Sequence, residues 1–60
     1  MNISEKIYQL RKDAGISQEK LAEMMGLSRQ TISKWEAGTS KPDADALIGL
    51  SNLFHISVDS

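Results

Sequence analysis

Sixty residues lie near the lower limit for a domain that folds without covalent help, since a chain of this size buries only about 60% of its unfolded surface. The absence of cysteine and a single histidine, His55, exclude a disulfide framework, a thiolate metal site and an imidazole cluster, so apolar packing must supply the stability and a reducing, cytoplasmic setting is expected. Seven Lys and Arg against eight Asp and Glu give a formal net charge of −1, a total that argues against a partner held by bulk attraction, such as nucleic acid or an anionic membrane.

No apolar stretch approaches the roughly 20 residues of a membrane helix, and Glu5 and Lys6 stand where a secretory signal would be apolar. Val58 is the only valine and the aromatics number three, a composition that favours helices over a sheet.

The first predicted helix carries Ile3, Ile7, Leu10 and Ala14 on one stripe, with Asn2 and Glu5 as an N-terminal capping pair and Gly15 as its end. Ser17 caps a short second helix with Leu21, Ala22 and Met25 on its apolar face, stopped by Gly26. Ser28 caps the third, over 29–36, whose apolar members are Ile32 and Trp35 and whose close is Gly38. Thr39 to Pro42 form a loop, because the residue before proline is pushed towards extended conformation. Asp43 caps the fourth helix, with Leu47, Leu50 and Phe54 on its stripe and Leu53 beside it, and the pattern fades at His55. A fifth helix is expected to begin at Ser57. All-α architecture follows, in one domain over 1–60 that reads as the N-terminal part of a longer chain.

Two short helices joined by Gly-Leu-Ser must cross steeply, and Ala22, Gly26, Leu27 and Ile32 suit the corner between them. Rotating the third helix by ~100° per residue from Arg29 places Ser33 at ~40°, Ala37 at ~80°, Gln30 at ~100° and Lys34 at ~140°, opposite Thr31, Trp35 and Ile32. The outer face is polar and free of acid. Arg reaches guanine bidentately, Gln does the same for adenine, and Lys or Ser adds a donor, so the inventory suits base reading, although an ordinary solvated face has the same polarity.

The string ISQEKLAEMMGLSRQTISKWEAGTSKP, residues 16–42, resembles the phage repressor/Cro (Xre-type) helix-turn-helix family of transcriptional regulators. The likeness rests on Gln18, Ala22, Gly26, Ile32, the Trp35-Glu36-Ala37-Gly38 exit and Pro42, and its flanks extend it to essentially the whole chain. It implies a lambda-repressor-like DNA-binding domain, with helices two and three as the helix-turn-helix and helix three in the major groove of double-stranded DNA. By that resemblance Arg29, Gln30, Ser33 and Lys34 face base edges, while Ser17 and Gln18 at the start of helix two lie against the phosphate backbone. Ser28, Thr31, Thr39 and Lys41 are further phosphate candidates. Ala37 is a departure, standing where some phage members carry a phosphate-touching amide. The family also implies an ion pair between Arg11 and Glu36 that locks the recognition helix on helix one.

Implied function is sequence-specific operator binding and transcriptional control, with repression by promoter occlusion the expected mode. A homodimer in the full-length protein would read a near-palindromic operator, its two recognition helices about one DNA turn apart, ~34 Å, while the 60 residues alone show no dimer seam. An antitoxin-type module that binds a protein toxin as well as its own promoter is the alternative.

Trp35 falls with Ile32 and is expected in the core, as is Met25, whereas Met24 and Tyr8 lie towards the surface. Asp43 and Asp45, two apart, point to different sides of a helix and make no general acid/base pair. Sixty residues rarely enclose a pocket of ~300 Å³ or more, so no enzyme, no cofactor and no metal site is expected. Divided along the chain, the charge is balanced over 1–27, +2 over 28–42 and −3 over 43–60, so the near-neutral total hides a basic segment at the reading helix.

Overall fold

Four polar side chains decide where the helices begin. In the computed structural model, which describes residues 2–55, Asn2 Oδ1 accepts the Glu5 N–H at 2.9 Å, Ser17 Oγ that of Lys20 at 3.0 Å, Ser28 Oγ that of Thr31 at 3.3 Å and Asp43 Oδ1 that of Ala46 at 2.9 Å. Each satisfies an amide that the first helical turn would leave without a partner. The helices are α1 (Ile3–Ala14), α2 (Gln18–Met25), α3 (Arg29–Ala37) and α4 (Ala44–Phe54), with no strand among the described residues. The expected fifth helix at Ser57 lies outside the described residues.

The turn between α2 and α3 depends on Gly26, whose φ of 69° is left-handed and costs an L-residue with a Cβ about 1–2 kcal/mol. Leu27 N–H then returns to Ala22 O at 2.8 Å, so the chain reverses within two residues and Ser28 opens the next helix. This tight link packs α2 against α3, and α1 packs against α3 while α4 leans on α2.

Their common core is Ile7, Leu21, Ala22, Ile32, Trp35 and Leu50, with Ile3, Ile16, Met25, Ala46, Leu53 and Phe54 packed around it. Pro42 is buried as well. Trp35 belongs to the core as expected, Met25 is half-buried against it, and Met24 and Tyr8 are exposed. The α1 stripe differs from the periodicity reading: Ala14 is exposed, Leu10 is half-buried, and the buried line runs Ile3, Ile7, Arg11. A charged side chain occupies that line because its guanidinium finds acceptors there, described below. On α4 only Leu50 is fully buried, with Leu47 half-covered and Ile48 exposed, because this helix has a single substantial neighbour.

Candidate nucleic-acid interface

The polar site is built around one carboxylate. Glu36, in the last turn of α3, receives Arg11 Nε on Oε2 at 2.7 Å, and Arg11 Nη2 and Gln18 Nε2 on Oε1, each at 3.1 Å. Arg11 spends its remaining nitrogen on Ile16 O at 2.9 Å, so the guanidinium ties α1 to both α3 and the link before α2. The two charged side chains are only 10% and 7% exposed, and every buried side-chain polar atom among the described residues has a partner. Burial works to raise the Glu36 carboxyl, but hydrogen bonds from Arg11 and Gln18 and the charges of Arg11 and Lys12 outweigh it and hold the group below its ordinary value. The Glu36 hydrogen bond, opposed by burial and aided by the Glu36 and Tyr8 charges, holds the Arg11 guanidinium above its own. Tyr8 covers the outer side, with Arg11 Cζ 5.5 Å and Lys12 Nζ 6.0 Å from its ring centroid.

With its only acid neutralised from behind, α3 turns a different face to solvent. Arg29, Gln30, Lys34 and Ala37 are exposed, and Arg29, Lys34 and Lys41 form no ion pair among the described residues. Ser33 is half-buried, so the margin of this polar face at ~40° lies partly under its neighbours. Thr31, placed on the inner side by rotation, is half-buried and its hydroxyl lies 3.0 Å from Ser28 Oγ.

The remaining polar candidates gather at the two ends of α3. Ser28 stands at its start, with its hydroxyl on the Thr31 amide. At the other end Gln18 lies beside Glu36, with Ser17 next to it in the chain, and Thr39 and Lys41 follow the helix. Ser17, Thr39 and Lys41 are exposed. Gly38 (φ 81°) opens this exit, where Lys34 O accepts the Thr39 N–H at 3.0 Å and the Thr39 hydroxyl at 3.3 Å. Gln18 is the position where geometry adds something the residues alone did not indicate, for its amide nitrogen is on the carboxylate of α3.

A hollow of about 390 Å³ between the end of α2 and α4, lined by Met24, Met25, Leu27, Asp43, Asp45, Ala46, Gly49 and Leu53, exceeds the ~300 Å³ that so short a chain rarely provides. Its acids do not act as a pair, since Asp43 caps α4, and no cluster of three metal-ligating side chains occurs among the described residues. No helix among these residues is long and apolar enough to cross a membrane.

Comparison with known proteins places this geometry. Residues 7–60 match the helix-turn-helix family model. The chain is 41% identical over 59 residues to the HTH-type transcriptional activator BcrR of Enterococcus faecalis, covering 98% of this chain and 29% of that protein. It is 32% identical to the HTH-type transcriptional regulator ImmR of Bacillus subtilis, covering 98% of this chain and 46% of the relative. The chain thus spans less than half the length of either relative. Among solved structures, a transcriptional regulator from Listeria innocua superposes with a TM-score of 0.91 at 31% identity, over 97% of this chain and 54% of the other. The P22 c2 repressor, solved in complex with a synthetic operator, superposes with a TM-score of 0.87 at 33% identity, over 95% of this chain and 86% of the other. In sequence and in fold, therefore, the chain belongs to the helix-turn-helix family of transcriptional regulators, in its Xre-type, lambda-repressor-like form.

Proposed function

We propose that these residues bind a specific operator in double-stranded DNA and control transcription in the cytoplasm, with α3 entering the major groove. The observation that carries the reading is the combination on α3 of an exposed Arg29, Gln30 and Lys34 with an only acid that is buried and paired. A helix of nine residues is about 13 Å long, which matches a major groove ~12 Å wide. Arg29, Gln30, Ser33 and Lys34 read base edges. Ser17, Gln18, Ser28, Thr31, Thr39 and Lys41 flank them as phosphate contacts that set register. Two copies on a near-palindrome, occluding a promoter, complete the reading, and the operator seen with the P22 c2 repressor supports it by analogy.

Selection of bound sequences from a random DNA pool, followed by salt titration on the enriched site, tests it. A dimer that neutralises about six phosphates gives a log-affinity slope near −5 against log salt. Gln30→Ala is expected to relax preference at one position per half-site. A pool that yields no enriched sequence refutes operator binding.

A further inference from the structure

The angle between α2 and α3 is decided at two places. At one end the helices share the turn of Gly26, Leu27 and Ser28; at the other, Gln18, the first of α2, meets Glu36, in the last turn of α3. Gln18 Nε2 donates to Glu36 Oε1 at 3.1 Å, joining positions 18 residues apart. Arg11 holds the same carboxylate from α1, so α3 is fixed at its far end from two directions. The leverage is unequal along the helix. A pivot of ~5° at the turn moves the end of a ~13 Å helix by about 1 Å and its start hardly at all. Arg29 and Gln30 sit at the pivot, whereas Ser33 and Lys34 lie ~6–7.5 Å out and move by about 0.5–0.7 Å, the scale of misplacement that loosens a base hydrogen bond.

We propose that Gln18 is a positioning residue for base reading: by holding Glu36 at the far end of the helix pair, it sets the placement of Ser33 and Lys34. This rests on the operator-binding reading above. Gln18 then acts on base reading through Glu36, in addition to the backbone contact that the family resemblance implies.

The test uses the operator selected with the wild-type chain, with each base pair assigned to Gln30 or Lys34 by its own alanine variant. Gln18→Met keeps the length of the side chain and removes its donor. The expected result is a loss of about fivefold in discrimination at the Lys34 position, the lower end of what one base contact supplies. Discrimination at the Gln30 position and the salt slope should be unchanged. Gln18→Lys, which returns a donor to Glu36, should restore discrimination. Uniform weakening on all sequences after Gln18→Met, or a Gln18→Lys variant that only steepens the salt slope by about 0.9, would make Gln18 a phosphate contact alone and overturn the proposal. A lowered melting temperature with discrimination intact would overturn it as well, by leaving only a structural role. Failure of the wild-type chain to select any site is a different result, since it removes the operator-binding reading itself.

Discussion

Replacing Arg11 by Met removes three hydrogen bonds at once, two to Glu36 and one to Ile16 O. It leaves a carboxylate whose side chain is 7% exposed with Gln18 as its one remaining donor. Breaking a buried pair from one side costs about 3–5 kcal/mol, and a core of this size supplies a total of only about 3–5 kcal/mol. Arg11→Met should therefore be largely unfolded at 25 °C and neutral pH, or melt at least ~12 °C lower, at roughly 4 °C or more per kcal/mol. Removing both charges is a different perturbation: Arg11→Met with Glu36→Leu leaves no uncompensated carboxylate and should return to within about 1 kcal/mol of the parent chain.

The pH dependence separates the cases by sign. In the parent chain the Glu36 carboxyl lies below its ordinary value, so its contribution is fully present above the unfolded-state range near 4 and is lost as pH falls through the lower folded value. In Arg11→Met burial dominates and raises the same group, so the contribution is reversed and acidification from neutral pH stabilises the variant. Urea unfolding followed by Trp35 fluorescence and far-UV circular dichroism across pH 3–8 measures both. An Arg11→Met variant within 1 kcal/mol of the parent at pH 7, or a double variant as unstable as the single one, would refute the reasoning.

Three smaller perturbations test the local geometry by the same unfolding assay. Gly49→Ala in α4 should stabilise by about 0.5–1 kcal/mol, because the added Cβ meets Met25 Cε at an ordinary 3.5 Å; a lowered urea midpoint would mean that α4 cannot accept a methyl there. Gly38→Ala should instead destabilise by about 1–2 kcal/mol, the position being left-handed at φ 81° with Ser4 Oγ 3.5 Å from the new Cβ. His55, left-handed at φ 56° where α4 ends, should gain roughly 0.5–1 kcal/mol on substitution by Gly, and an unchanged melting temperature would argue that this cap is not held in the folded chain.

The helix starts were legible because each is a local event: a side-chain oxygen at Asn2, Ser17, Ser28 or Asp43 meets an amide three residues on, and that spacing is visible in one dimension. The Trp35 and Ile32 face of α3 was legible for the same reason, since a helix converts spacing into direction. Arg11 was harder. Periodicity favoured Ala14 for the inner line of α1, and only the family resemblance connected Arg11 with Glu36; the burial of both follows from the crossing of α1 over α3, which no local rule fixes. The Gln18 bond to Glu36 was not legible at all. It depends on the angle between two helices and on which way one amide turns, and a rotation diagram of either helix contains neither quantity. The hollow beside α4 is a gap left between α2, the turn after it and α4, equally outside any pattern along the chain.

The charge distribution explains why precise placement matters here. On the proposed reading the total of −1 is a poor guide, because Glu36 is matched by Arg11 and residues 28–42 then present Arg29, Lys34 and Lys41 with no unpaired acid among them. Even if each of three cations per copy, base-reading or not, released one counterion, the salt slope would reach only about −2.7 for one copy and about −5.4 for two, with Asp43 and Asp45 opposing approach from their side. Affinity from phosphates alone is then modest, and the difference between a correct and an incorrect site has to come from a few base contacts, each worth about 1–3 kcal/mol. Contacts of that size hold only if the helix that carries them is placed to within a fraction of an ångström. Among the described residues α3 is braced by one buried carboxylate with donors from α1 and α2. If α3 reads bases as proposed, the Arg11–Glu36–Gln18 cluster serves recognition by holding that helix, although none of its three side chains need touch a base.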